Sequence, residues 1–289
     1  MSSLTMAVTQ MACGWNKAAN IATADALVRE AHGQGAGLIL LQELFETPYF
    51  CSEQNADHFA LARPFEGNPL IAHFSGLAKE LGVVLPISFF ERTARQFFNS
   101  MAMIDADGTV LGVYRNTHIP DGPGYMEKFY FTPGDTGFRV WDTRVGRIGV
   151  GICWDQWFPE AARAMSLMGA DILLYPTAIG SEPQDPSLNS KAHWQRTMQG
   201  HAGANIAVVA ASNRIGTEDV GCQMQFYGGS FIADETGAIV SEMTTESGVA
   251  VARFDLDQIR TRRQAWGLFR DLRPDMYGAA HNPLSAAKT

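Results

Sequence analysis

The run CWDQWFPE places two indoles, two carboxylates and an amide within eight residues of the thiol of Cys153. A lone free cysteine is most often a small buried hydrophobe, but a plain strand-to-helix connection has no need of so polar and aromatic a setting. The preceding stretch, Arg147 to Ile152, reads as a strand in which Gly149 and Gly151 leave room around the backbone. A helix is expected next, with Phe158, Ala161, Ala162, Met165, Leu167 and Met168 recurring at helical spacing. A second buried strand, Asp171 to Tyr175, then ends at Pro176. A thiol at such an elbow lies beside the free N–H groups of a helix start, which lower a thiol pKa and can hold a developing oxyanion. The chemistry that follows is nucleophilic attack by sulfur.

Two further stretches carry groups that could assist. Leu38 to Gln42 is a continuously apolar run of the kind found in strands buried on both faces, and it delivers Glu43 at its end. A carboxylate there is costly unless solvated or paired, so Glu43 is either a rim residue bonded to loop backbone or a working acid-base group. From Arg115 to Gly137 runs a long irregular section rich in glycine and proline, and loops of that length in a compact domain are usually functional.

The elements that must position these groups alternate. Strands are expected at Leu4–Met11, Val83–Phe90, Phe98–Asp105, Val110–Tyr114, Gly137–Thr143 and Ile206–Ser212. Helices are expected at Lys17–His32, with Ala18, Ile21, Ala22, Leu27, Val28 and Ala31 facing inward, and at Pro69–Gly82, Ser190–Ala204 and Asp255–Trp266. Phe226–Ala233, Ala238–Met243 and Val249–Phe254 read as shorter antiparallel strands, with DETG, Asp234 to Gly237, as a hairpin turn. The tail AAHNPLSAAKT reads as loose or docked on a partner. Helices and strands alternate without a linker or repeat, which predicts one layered α/β domain over 1–289.

Composition narrows the function. With 46% hydrophobic and 18% charged residues the chain is ordinary globular material. A net charge of -8 argues against nucleic acid or an anionic membrane as partner. No apolar run reaches transmembrane length and the amino terminus lacks the basic start of a signal peptide, so a cytoplasmic location is expected. The four cysteines, 13, 51, 153 and 222, have no C-x-x-C spacing and the seven histidines form no H-E-x-x-H, so no metal is implied. No G-x-S-x-G occurs, and G-V-G-I-C-W lacks the third glycine of a dinucleotide fingerprint.

Three segments carry a resemblance: LLQELFETPYF around Glu43, YRNTHIPDGPGYMEKFYFTPGDTGF, and GICWDQWFPEAARAM with DILLYPTAIGSEPQD. Together they are similar to the nitrilase or carbon-nitrogen hydrolase superfamily, and most of all to its N-carbamoylputrescine amidases. The resemblance covers nearly the whole chain. It implies an α-β-β-α sandwich, a Glu-Lys-Cys triad, no cofactor, and a homodimer or larger homo-oligomer. Carried over, Glu43 matches the general base, Cys153 the nucleophile and Glu127 a second, supporting carboxylate, with the backbone N–H of Trp154 at the oxyanion. One position departs: the family pattern Tyr-Arg-Lys-x-His-x-Pro is YRNTHIP here, so Asn116 stands at the lysine position. Asparagine donates only a neutral hydrogen bond, which predicts weakened turnover. Lys128 is a conceivable substitute cation, although it belongs to the matching EKFYF run.

The implied reaction is hydrolysis of N-carbamoylputrescine to putrescine, carbon dioxide and ammonia through a cysteine acyl-enzyme. Its substrate is a small cationic carbamoyl amine. Glu182 is the candidate partner for the distal ammonium, against the alternative of an exposed loop carboxylate. A related hydrolase acting on another carbamoyl amine, carbamoyl amino acid, amide or nitrile, and a silent ligand-binding homologue, remain alternatives.

Overall fold

The computed structural model describes residues 3–185 and 187–278; the tail AAHNPLSAAKT lies outside them. Strand β1 (Ser3–Gln10) leads into helix α1 (Lys17–Gly33), whose first turn is capped by the Asn16 side chain. β2 (Leu38–Leu40) follows, then α2 (Pro69–Leu81), which has Asn68 as its N-cap, proline in its first turn and Gly82 in the left-handed conformation as its stop. β3 (Leu85–Arg92), β4 (Phe97–Ile104) and β5 (Val110–Arg115) form an antiparallel meander. Strands β14 (Gly248–Asp255), β1 and β2 pair in that order, and a parallel bridge from Leu38 to Val84 joins β2 to β3. The result is a six-stranded sheet, β14-β1-β2-β3-β4-β5.

The second sheet is assembled from β6 (Val140–Thr143), β7 (Gly146–Val150), β8 (Ile172–Pro176), β9 (Val208–Ser212), β12 (Phe231–Ala233) and β13 (Ile239–Glu242). Its crossovers are α3 (Pro159–Leu167) and α4 (Lys191–Asn205). β10 (Ile215–Val220) and β11 (Cys222–Tyr227) make a separate hairpin, and α5 (Leu256–Trp266) follows β14.

Side-chain alternation shows how the layers stack. Leu4, Met6 and Val8 of β1 and Leu38 and Leu40 of β2 share one cluster with Ile172, Leu174, Val208 and Ala210, so these faces pack sheet against sheet. The intervening Ala7 and Ile39 turn outward to α1 and α2, while Leu173, Tyr175 and Val209 turn outward to α3 and α4. The strands are buried on both faces, and the architecture is the expected α-β-β-α sandwich.

Four expectations need correction. No α-helix starts at Cys153: residues Cys153–Trp157 form a 3₁₀ turn, and α3 begins at Pro159. Leu167 and Met168 are exposed at the end of α3 rather than facing the core. Ala18 and Ala22 of α1 are exposed, while Asn20 is buried because its amide bonds the backbone of Gly14 and Glu46. The strand expected over Phe226–Ala233 is broken at Gly228 and Gly229, both with positive φ (64° and 72°), and its first residues belong to the β10–β11 hairpin.

Candidate active site

Cys153 leaves β7 with φ of 38°, a left-handed conformation that costs a non-glycine residue on the order of 1–2 kcal/mol and is sustained only by strong local bonding. Asp155 supplies that bonding. Its side chain is fully buried and accepts from the Ile152 N–H (3.0 Å), the Tyr114 hydroxyl (2.6 Å) and the His118 N–H (3.0 Å), and pairs with His118 Nδ1 (2.6 Å). The His118 ring stacks on Phe158 at 3.6 Å, which fixes it in turn. Gly151 is required here, because a Cβ would lie 2.9 Å from the Tyr175 ring. Cys153 as a residue is 5% exposed and its Sγ lies 3.8 Å from the Ala178 carbonyl.

Two elements bring carboxylates to this sulfur, and a third, carrying Asn116, lies against the strand that holds Asn99. Glu43, fully buried just beyond β2, accepts from Asn99 Nδ2 at 2.5 Å and lies within reach of the Cys153 thiol. Glu127, also fully buried, opens a short 3₁₀ turn in the long loop and accepts from the Tyr49 hydroxyl at 2.5 Å. Asn116 follows β5 and is 1% exposed; its N–H donates to the Asn99 carbonyl at 2.8 Å. Glu43, Glu127 and Cys153 therefore lie together, and Asn116 is joined to them through Asn99.

The electrostatics are those of negative groups held out of water. Burial raises Glu43 to about 7, partly opposed by its bonds to Asn99 and Cys153 and by the charge of Arg214. Burial, then repulsion from Glu43, pushes Glu127 well above the usual carboxylate range. Burial raises the Cys153 thiol, and both carboxylates raise it further. The expected lowering by a helix start is overturned, since only a 3₁₀ turn follows the thiol and two acids face it.

A cavity of about 400 Å³ opens above this group, with Glu127, Cys153, Tyr125 and Gln156 deep in its lining and Trp154, Trp157, Asp121 and Glu182 among its walls. Glu182 shares the cavity with the thiol. Its carboxylate accepts from Gln184 at 3.2 Å and its charge reaches Tyr125 and Tyr227. The Trp154 side chain lines the same space. Lys128 is exposed and is not among the residues that line the cavity.

Sequence reasoning missed four residues that hold the site. Asp155 reads as one more acid in a polar run, and Asn99 sits in a strand that otherwise looks plainly apolar. Tyr49 connects Glu127 to Glu218, whose carboxylate accepts from the Tyr49 N–H at 2.5 Å. Arg214, fully buried, pairs with Glu218 at 2.8 Å and donates to the carbonyls of Glu43 (2.7 Å), Leu44 (3.3 Å) and Thr47 (3.2 Å). Its position directly after β9 was the available signal, because a cation beyond a buried strand needs acceptors nearby.

An α-β-β-α sandwich with a buried thiol between two carboxylates defines a class of cysteine-dependent hydrolase sites. The Carbon-nitrogen hydrolase family profile matches residues 5–264, and this chain belongs to that family. It is 61% identical to an N-carbamoylputrescine amidase of Arabidopsis thaliana, over 93% of this chain and 92% of the relative. It is 50% identical to a citrullinase of Francisella tularensis, over 96% and 98%. The crystal structure of a carbon-nitrogen hydrolase from Helicobacter pylori superposes with a TM-score of 0.91 at 37% identity, covering 97% of this chain and 99% of that one.

Proposed function

We propose that the chain hydrolyses N-carbamoylputrescine to putrescine, carbon dioxide and ammonia. The observation that carries this reading is one cavity holding Cys153 and Glu127 at its depth and Asp121 and Glu182 on its walls. Close identity to N-carbamoylputrescine amidases supports it. A carbamoyl carbon is a weak electrophile because both nitrogens donate to it, so a thiolate is needed. Glu43 takes the Cys153 proton as sulfur attacks, and the tetrahedral oxyanion faces the Trp154 N–H. Collapse breaks a C–N bond, with Glu43 returning the proton to the departing nitrogen. Water, deprotonated by Glu43, then attacks the thioester; release of the remaining carbamoyl fragment gives carbon dioxide and the second amine. Glu127 supports Glu43 from across the site. Glu182 pairs with the distal ammonium.

The citrullinase likeness favours a second reading, a ureido amino acid. Among the described residues no arginine or lysine lines the cavity to face a carboxylate, so the cationic amine fits better. The enzyme is read as cytoplasmic; among the described residues no helix is long and apolar enough to cross a membrane. Assembly into a homodimer or larger homo-oligomer is supported by exposed Leu167, which shares a groove with Tyr277.

The test is product release from N-carbamoylputrescine and from citrulline by the purified protein, following putrescine and ornithine chromatographically. Putrescine formation at higher kcat/KM supports the reading, and preferential ornithine formation overturns it.

A further inference from the structure

Around the thiol, several buried polar atoms have no hydrogen-bond partner among the described residues. Asn116 is 1% exposed, yet both its Oδ1 and its Nδ2 are without one. The same holds for Asn99 Oδ1, Glu43 Oε2 and Glu127 Oε2. Native interiors pair the large majority of such atoms. The antiparallel register extends from Ser100 opposite Arg115 to Asn99 opposite Asn116, so these two side chains share one face of the sheet. Asn99 bonds Glu43 and also neighbours Glu127. The cluster therefore presents four acceptor oxygens and one amide donor, a marked excess of acceptors. The cation that reaches Glu43, Arg214, is already engaged by three carbonyls and Glu218.

We propose that Glu43, Asn99, Asn116 and Glu127 form a binding site for ammonium or a small primary alkylammonium ion. Such an ion is compact, carries the missing charge, and offers three or four directed N–H donors to oxygens that have none. A divalent metal fits the cluster less well, since among the described residues no group of three or more His, Cys, Asp or Glu side chains is disposed to hold one. Entry is through the cavity that Glu127 and Cys153 line. Bound there, the ion offsets the repulsion between the carboxylates and favours the thiolate of Cys153. If the substrate reading above holds, each turnover releases ammonia, so the reaction supplies its own activator. Progress curves followed by putrescine formation then accelerate before they slow, and added ammonium abolishes the lag.

The decisive measurement uses no substrate. Cys153 is alkylated with iodoacetamide near pH 7.5 and quantified by peptide mapping, in ammonium, methylammonium, sodium or tetramethylammonium chloride at equal ionic strength. The groups whose charge reaches this sulfur are Glu43, Glu127, Tyr49, Tyr125 and Tyr227, with Asp155 and Cys51 beside Glu127 and Arg214 behind Glu43. Ammonium and methylammonium are expected to raise the rate saturably by about tenfold, equivalent to one pKa unit. Tetramethylammonium has the charge without N–H donors and is expected to match sodium. Asn116→Lys, which places an ammonium there covalently, is expected to alkylate fast and to ignore added ammonium. Equal rates in ammonium and sodium, an equal effect of tetramethylammonium, or an undiminished ammonium response in Asn116→Lys overturns the site. A saturable response in a protein that turns over no carbamoyl amine leaves the site standing and removes only the substrate.

Discussion

Asp155 and Glu127 are both fully buried carboxylates in the neighbourhood of Cys153, and they differ in how completely they are met. Asp155 has four polar contacts from three residues, two of them backbone N–H groups, and it fixes the elbow. Glu127 has one close donor, from Tyr49, with Asn99 beside it, and Glu43 has one close donor, from Asn99, with the Cys153 thiol and the Ala178 N–H beside it; each keeps one oxygen that no close donor meets. A carboxylate saturated by donors is a structural strut, because the folded state has already compensated its charge. One left under-donated holds its proton more tightly, which is what a group that must take and return a proton near neutral pH requires. The same side-chain chemistry thus stands in two electrostatic states beside one thiol, and partner count separates them.

The sharpest way to break this comparison is at the sulfur. Cys153→Ser is expected to lower kcat by more than about 10⁴-fold, the scale of losing a nucleophile, with an unchanged melting temperature. Retained turnover removes Cys153 from the reaction.

Next in size is Asn116→Lys, expected to raise kcat by at least about 10²-fold, the scale of one oxyanion donor, with little change in KM. It also tests the titration. Glu43 acts as a base only when ionised, and burial holds it at about 7, so kcat/KM in the parent is expected to rise with pH through that value. The lysine charge shifts that rise to lower pH. An unmoved profile means that residue 116 does not face the carboxylates.

Stability separates the two acids more directly. Asp155→Ala strands two backbone N–H groups and the His118 ring, and is expected to cost about 2–4 kcal/mol in denaturant unfolding. Glu127→Gln relieves repulsion with Glu43 and is expected to leave stability unchanged or higher while activity falls. The sign follows from the shift: an acid whose folded-state pKa is raised destabilises the fold as pH climbs from its ordinary value through the raised one. Equal destabilisation by both substitutions would erase the distinction.

The smallest expected effect lies at the rim. Glu182→Gln should raise KM for N-carbamoylputrescine about tenfold more than for a neutral carbamoyl alkylamine, roughly the worth of one charge-assisted contact. Equal changes for both place Glu182 outside the binding site.

How much of this could be read beforehand follows the same logic. Cys153 and Glu43 were legible because polar residues interrupt apolar runs at strand ends, and Cys153 lines a cavity there. The two sheets were legible as short continuous apolar runs, and α2 as a proline-started amphipathic helix. Asp155 was not, since nothing in its type distinguishes a saturated acid from an active one. Asn99 was hidden because FFNSMAMI reads as a plain strand and its partner lies 56 residues away. The β10–β11 hairpin escaped because its outward positions are polar and its turn glycine resembles loop. Gly228 and Gly229, inside an otherwise strand-like run, were the one signal that Phe226–Ala233 had to break.

Arg214 stands at the exit of one sheet while its guanidinium grips the carbonyls beyond the exit of the other, and Ser212, two residues earlier, bonds the Leu40 carbonyl at 2.7 Å and the Thr9 N–H at 3.2 Å. In the proposed reaction the general base, Glu43, belongs to the first sheet and the nucleophile, Cys153, to the second. Neither half of the chain carries a reactive centre of its own, so a nascent or misassembled polypeptide with only one sheet formed is chemically silent. Reactivity switches on only when the halves meet in register, which makes this enzyme's activity a report on its own assembly.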